Sequence, residues 1–327
     1  MQSLTIPRNF SGVWPYVQIA RVDHWFKNVF MMLGVPIAVF SNPDLVTWES
    51  VAPVAIGLVA TCLVASSNYV INELLDGPRD RLHPEKCNRP VPRGLVRSDL
   101  AYIEWITLGL LGMWLAWKVN GPFAVVAASL WVMGVLYNVP PMRTKEWPYL
   151  DVLSESINNP LRLLLGWFAL IPDRLPPASL LLAYWMVGAF FMAVKRYAEY
   201  RHIGDKGAAA AYRESFAYYT EERLLLSLFF YAAASALFGG VFMIRYHIEL
   251  ILFVPLAAGM LTFYLKIGLR PNSPVQHPER LYREIPFMVY LTVCMGIFVV
   301  LLFTRIPALH NWFGAEPAVL WTLDEKE

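Results

Sequence analysis

The apolar residues of this chain come in long blocks rather than at amphipathic spacing, and that grouping limits the fold more than any other feature. Spans of roughly 17 to 25 residues match the hydrocarbon thickness of a bilayer. Candidate spans fall at about 27 to 41, 50 to 72, 100 to 117, 121 to 138, 156 to 171, 178 to 198, 224 to 244, 248 to 267 and 285 to 304. A segment inside lipid must satisfy its own backbone polar groups. The blocks therefore predict an all-α polytopic membrane protein with nine transmembrane helices. With 57% hydrophobic and only 16% charged residues, the chain has too little polar surface for a water-soluble protein of 327 residues.

Nine spans put the termini on opposite sides of the membrane, so the Lys and Arg positions test the orientation. With the N-terminus inside, the inner segments hold 21 of these cations, the outer ones 5, and Arg162 lies within a span. The reading is a multi-pass protein of the plasma membrane with its chemistry facing the cytoplasm. Residues 1–327 read as one domain, with 1–26 an inner, interfacial segment and 305–327 an outer tail. Within that first segment, Gly12 to Trp25 is loosely amphipathic and rich in interfacial aromatics. No cleavable signal peptide is evident before the first apolar run. A formal charge of +2 gives no reason to expect nucleic acid, and Cys62, Cys87 and Cys294 suggest neither a disulfide framework nor a zinc site.

The unusual residues gather in three inner loops. Asn72 to Pro90, NELLDGPRDRLHPEKCNRP, sets four acids, four bases and a histidine directly after the second apolar block. Asn72, Asp76 and Asp80 recur every four residues, which on a continuous helix places them within about 80° of arc. Gly77-Pro78 predicts that the helix ends or kinks there, so that Asp80 approaches across a bend. Hard oxygen ligands of this kind suit Mg²⁺ shared with substrate phosphates, and Arg79, Arg81, Lys86, Arg89 and Arg93 supply partners for the remaining phosphate oxygens. The plainer alternative is a solvated loop that anchors its helices.

Tyr137 to Glu155 repeats that composition, with Arg143 and Lys145 upstream of Asp151 and Glu155. Compensation of a helix dipole also explains the acid pair, but not Arg162, a cation about two turns further on inside a span. The third loop, Lys195 to Arg223, begins with Lys195, Glu199 and His202 on one helical side and Arg196 beside them. Simple snorkelling of Lys195 and Arg196 is the alternative there. Ala208 to Arg223 predicts a polar surface helix, and His83 and His202 receive no catalytic proton role. The aromatics Trp131, Trp167, Phe190 and Phe191 suit lipid or core contacts, or the wall of an isoprenoid channel.

These residues resemble the UbiA superfamily of intramembrane prenyltransferases. Its N-D-x-x-D-x-x-x-D signature is met at Asn72, Asp76 and Asp80, with Glu73 in place of Asp, and its D-x-x-x-D at Asp151, with Glu155 in place of Asp. The nine expected helices fit that family too. WFKN at Trp25 to Asn28, HPEKCNRP at His83 to Pro90 and KRYAE at Lys195 to Glu199 are similar to the decaprenyl-phosphate phosphoribosyltransferase branch. INNPLR, Ile157 to Arg162, is assigned to neither that branch nor the prenyl-transferring one.

The resemblance implies a central pocket in which Asp76, Asp80 and Asp151 are catalytic and Asn72, Asp76, Asp80, Asp151 and Glu155 hold Mg²⁺. It implies substrate contacts from Lys27, Asn28, Asn72, Arg79, Lys86, Arg89, Tyr137, Arg143, Lys145, Arg162, Lys195, Arg196 and Glu199. Two reactions fit: transfer of a 5-phosphoribosyl group from 5-phosphoribosyl 1-diphosphate to a polyprenyl phosphate, or transfer of a prenyl group to an aromatic acceptor. Cations on the third loop favour the first, and the acid pair Asp151 and Glu155 the second. A transporter or a non-catalytic scaffold is the reading from outside the enzymes.

Overall fold

The computed structural model describes residues 12–81, 86–276 and 278–314. His83 and the tail beyond 314 lie outside the described residues. The described residues open with α1 (Trp14–Ile19) and a 3-10 stretch, Val22–Leu33, that runs into α2 (Gly34–Ser41). Three long helices follow, α3 (Val51–Asp80), α4 (Ser98–Val119) and α5 (Gly121–Asn138). A broken pair, α6 (Leu150–Ser156) and α7 (Asn158–Phe168), precedes α8 (Ala178–Ile203). The short helices α9 (Lys206–Tyr212) and α10 (Ser215–Tyr218) lead into α11 (Glu221–Tyr246). Last come α12 (Val254–Gly268), α13 (Ile285–Leu302) and α14 (Pro307–Phe313).

The described residues contain helices and no strand. Seven of these segments are long and apolar enough to cross a membrane: Trp48–Asp80, Ser98–Val119, Gly121–Asn138, Ala178–Ile203, Glu221–Tyr246, Ile248–Gly268 and Ile285–Leu302. The fold is that of an integral, multi-pass membrane protein. The other two expected spans are interrupted. The break at Ile157 has a local cause: Pro160 has no N–H to donate and its ring crowds the carbonyl of Ser156, the last residue of α6.

The first span departs from α geometry because it lies flush on α7. A Cβ on Gly34 would sit 2.1 Å from the Leu163 carbonyl oxygen, and one on Gly166 1.9 Å from that of Met31. Only glycine permits that approach, and it carries Asn28 to the side of Arg162.

Gly77-Pro78 does not end α3, contrary to the sequence expectation: helical bonding continues to Asp80, with the Arg81 N–H on the Gly77 carbonyl at 3.3 Å. Two physical reasons account for this. Proline disfavours helical geometry in the preceding residue partly through that residue's Cβ, which Gly77 lacks. Pro78 also stands in the last turn, so that its missing N–H costs one bond near an end. Gly77 serves packing as well, since a Cβ there would lie 2.6 Å from Val91 Cγ1.

At the end of the bundle away from the charged loops, Glu249 is fully buried and gathers three groups. Its Oε1 accepts from the Ile306 N–H at 2.9 Å and faces His310 Nε2 at 2.9 Å, while His247 Nδ1 lies 3.2 Å from Oε2. His247 Nε2 meets the Leu301 carbonyl oxygen at 2.7 Å. The carboxylate thus pins the ends of α11, α13 and α14 together, so residues 307–313, expected within a plain tail, are helical and docked. Replacing Glu249 by Gln should cost about 1–3 kcal/mol through imperfectly satisfied buried groups. A lower Tm in detergent with an unchanged initial rate per folded molecule would bear this out.

Candidate functional site

α3 continues one helical turn past Asp76, so Asn72, Asp76 and Asp80 do share a face, yet Asn72 and Asp76 meet Lys145 while Asp80 meets Arg89. Lys145, from the loop after α5, is buried, and its Nζ lies among three oxygens. These are Asp76 Oδ1 at 2.5 Å, Asn138 Oδ1 at 2.9 Å and Asn72 Oδ1 at 3.2 Å. Burial pulls the Lys145 ammonium down to about 8, against the opposing attraction of Asp76. Arg143 Nη2 donates to the same Asp76 oxygen at 3.1 Å. Arg143 and Arg79 both engage Glu146, and Arg79 also reaches Glu214 at 2.7 Å, which ties the first, second and third loops together.

Asp80 pairs with Arg89 at 2.8 Å. Lys86 donates to the Tyr212 hydroxyl at 2.9 Å and lies over its ring. Burial lowers the Lys86 pKa, and Glu199, Asp80, Arg89 and Arg213 all act on its charge. Lys86 therefore stands at the junction of the first and third loops.

The second acid pair is organised around Arg196, which is 1% exposed. Its guanidinium reaches Asp151 at 2.9 Å, Glu155 at 2.7 Å and Glu199 at 3.1 Å, and its Nη2 also donates to the Tyr137 hydroxyl at 3.4 Å. Asp151 is fully buried, and both of its oxygens are engaged. Oδ1 accepts from the Tyr219 hydroxyl at 2.6 Å, and Oδ2 accepts from Ser215 Oγ at 3.3 Å with Arg213 3.7 Å away. Glu155 accepts from Tyr137 as well. Lys195, one residue earlier on α8, is half-buried and makes no ion pair with the described residues, while its charge acts on Glu155 and Glu199.

The expected polar surface helix over Ala208 to Arg223 is instead α9, α10 and the start of α11, folded down over this centre. Phe216 and Tyr219 are fully buried with Tyr197 and Leu224. Thr220 then caps α11 by accepting from the Arg223 N–H at 3.1 Å. Sequence reasoning missed Arg213, Tyr219, Tyr212, Glu146 and Glu214 as parts of the site. A signal was present, because Tyr212, Phe216 and Tyr219 recur at helical spacing and mark an apolar face that needs a partner.

Glu73, the departure from the first signature, points away from Asp76. Its Oε2 lies 3.3 Å from Arg21 and its Oε1 faces the Val91 N–H at 3.5 Å, so it tethers the N-terminal segment and the first loop. Asn28 and Arg162 lie apart from the loop cluster, joined by a 3.1 Å bond from Arg162 Nε to Asn28 Oδ1. Lys27 sits over the Phe26 ring. Trp167 and Phe190 are core residues, and Trp131 donates to Ser67.

Among the described residues no three acids, histidines or cysteines converge as a ready metal cage. The set around Lys145 Nζ is nevertheless three hard oxygens about one positive centre. An ammonium occupies the position a small divalent cation would take, so Asn72 and Asp76 fit such an ion completed by substrate phosphates.

The sequence profile of the UbiA prenyltransferase family matches residues 28–291. A decaprenyl-phosphate phosphoribosyltransferase from Mycolicibacterium smegmatis is 30% identical over 220 residues, 67% of this chain and 66% of that one. A protoheme IX farnesyltransferase from Shewanella baltica is 27% identical over 181 residues, 54% of this chain and 56% of its own. Among solved structures, a UbiA homolog from Archaeoglobus fulgidus bound to GPP and Mg²⁺ superposes with a TM-score of 0.63 at 18% identity, covering 86% of this chain and 99% of that one. The same homolog bound to DMAPP and Mg²⁺ gives 0.64 at 19% identity, over 91% and 99%. At these identities the structural likeness establishes the fold.

Proposed function

The chain belongs to the UbiA prenyltransferase family and is a membrane-embedded transferase, and from that premise we propose that it moves a 5-phosphoribosyl group from 5-phosphoribosyl 1-diphosphate to a polyprenyl phosphate, releasing diphosphate. One observation carries this reading: a node of hard oxygens, held together by Lys145, is accompanied by cations from all three loops. Asp151 and Glu155 are held by Arg196, whereas Asp76, with the Asn72 amide oxygen beside it, forms the node that Lys145 joins and is the carboxylate that would meet a diphosphate and its metal. Lys86, Arg89 and Arg143 stand on the first two loops, Lys195 acts on Glu155 and Glu199 from the third, and a donor with phosphate at both ends matches that surplus of cations. Similarity to a named decaprenyl-phosphate phosphoribosyltransferase supports the reading. The excess of Lys and Arg on these loops supports a cytoplasm-facing site.

Asn72 and Asp76 would hold Mg²⁺. What that ion supplies when bound is neutralisation of the departing diphosphate. Lys145 gives up its place among the oxygens and, with Arg143, turns to the phosphate oxygens. Lys86, Arg89 and Lys195 fix the rest of the donor, so the anomeric carbon is presented with its leaving group already paired. The short helices α9 and α10 cover the centre and keep water from competing as acceptor.

Purified protein with Mg²⁺, the phosphoribosyl donor and a polyprenyl phosphate should release diphosphate only when both substrates are present. Release from geranyl diphosphate with an aromatic acceptor, and none from the phosphoribosyl donor, would replace this reading with aromatic prenyl transfer. Release from neither would favour a scaffold or transporter. Lys195→Ala should raise the KM for the phosphoribosyl donor about tenfold, as loss of one charge-assisted contact does, with little change in the KM for lipid. Equal effects on both constants would reduce Lys195 to an anchor.

A further inference from the structure

INNPLR, a motif assigned to neither branch of the family, ends in the one cation that the sequence sets inside an expected span. Arg162 stands on α7 about 10 Å of helical rise beyond Glu155, away from the loop cluster. Buried or intramembrane guanidinium groups take acidic partners as a rule. Arg162 makes no ion pair with any described residue. Of its five N–H groups, Nε donates to Asn28 Oδ1 at 3.1 Å and Nη1 reaches the Asn158 carbonyl at 3.5 Å. The others have no acceptor among the described residues.

The surroundings are built around that charge. Asn28 is 1% exposed, and its Nδ2 donates to Cys62 Sγ at 3.3 Å, which turns its Oδ1 toward the guanidinium. Gly34 and Gly166 allow the backbone contact that brings Asn28 there. Tyr69 and Tyr184 lie within electrostatic reach of Arg162, and their hydroxyls make no hydrogen bond with described residues. Leu161, Leu163, Leu164 and Leu165 beside it belong to the apolar core. The result is a guanidinium with no carboxylate bound to it among the described residues, set among leucines and two tyrosines, with Glu155 and Asp23 acting on Tyr69 from further off. It suits an anion that carries an apolar chain and needs no metal.

We propose that Arg162, oriented by Asn28, binds the phosphate of the lipid acceptor, at a place distinct from the site for the donor's phosphates. This rests on the phosphoribosyl-transfer reading. In the reaction an oxygen of the lipid phosphate forms a bond to the anomeric carbon while the bond from that carbon to the diphosphate oxygen breaks, and the electron pair leaves on diphosphate. The acceptor arrives ionised beside the guanidinium, so no proton has to be removed. Two phosphate sites of different character explain the division of labour: mixed charge where the diphosphate departs, cation alone where a lipid phosphate attacks.

The test uses the full chain in phosphatidylcholine nanodiscs, without Mg²⁺ or donor, and farnesyl phosphate, farnesol and inorganic phosphate as probes. Farnesyl phosphate should bind more tightly than either of the others. Arg162→Gln should weaken it about 10- to 100-fold, the worth of a charged hydrogen-bonding partner. Binding of 5-phosphoribosyl 1-diphosphate with Mg²⁺ should remain as in the wild type. Asn28→Asp gives Arg162 the acid it lacks and should weaken farnesyl phosphate comparably with the arginine still present; it carries the test if Arg162→Gln does not fold. Unchanged farnesyl phosphate binding in the variants, no binding by the wild type, equal Arg162-dependent binding of inorganic phosphate, or a parallel loss of donor binding would each overturn the assignment. Arg162-dependent binding in a protein that transfers no phosphoribosyl group would support the lipid-phosphate site and overturn the donor reading alone.

Discussion

Asp76→Asn is expected to lower turnover by about 10³-fold or more, the scale lost when the charge that holds a leaving group's metal is removed. The substitution keeps size and one acceptor oxygen, so the local structure survives. Lys145 retains Asn72 and Asn138 as acceptors, and Arg143 retains Glu146. A full-length, inserted and folded protein with no diphosphate release is the expected outcome, its Tm lowered by the loss of the carboxylate that pairs with buried Lys145. Asp80→Asn should be milder, because Asp80 is engaged by Arg89 and stands one turn from the oxygens around Lys145. Normal turnover in Asp76→Asn would sink the assignment of Asp76 as the centre of the site. A loss of folding with no catalytic effect per folded molecule would turn it into a scaffold residue.

The class of fold was readable because lipid imposes it: an apolar block long enough to span has few alternatives to a helix. Departures occur where one helix meets another. α6 and α7 break at Ile157, and the first span adopts 3-10 geometry because Gly34 and Gly166 touch backbone to backbone, and their pairing across distant positions leaves no periodic trace. Gly77-Pro78 misled for a related reason: the rule for residues before proline assumes a Cβ that glycine lacks. The four-residue spacing of Asn72, Asp76 and Asp80 was legible, but the bend expected at Gly77-Pro78 set Asp80 apart, and the unbroken end of α3 corrects that. Spacing could not say that Lys145, from another loop, would sit among the oxygens of Asn72 and Asp76, nor that Arg196, 45 positions along the chain, would take Asp151. Aromatics in the third loop went unread because charge made that segment look solvated, whereas its Phe216 and Tyr219 face inward.

Asp151→Asn separates two roles that sequence alone leaves joined. As a metal ligand, Asp151 would control Mg²⁺ affinity. As the structure arranges it, the carboxylate is an internal anchor with no open oxygen: Arg196 and Ser215 hold one side and Tyr219 the other. Arg196 is itself desolvated and depends on Asp151, Glu155 and Glu199 for compensation. Removing one partner from a buried ion pair leaves charge without its match, at a cost of about 3–5 kcal/mol. For a chain of this size that corresponds to a Tm lower by on the order of 5–10 °C. Tyr219→Phe removes a single hydrogen bond to the same carboxylate and should cost only about 1 kcal/mol. The Mg²⁺ concentration for half-maximal rate should be unchanged in the fraction that remains folded. If instead Asp151→Asn melts like the wild type but needs far more Mg²⁺, the anchor role is wrong. A second metal would then have to displace Arg196 from Asp151 when substrate binds, which would move the balance toward transfer of a prenyl group.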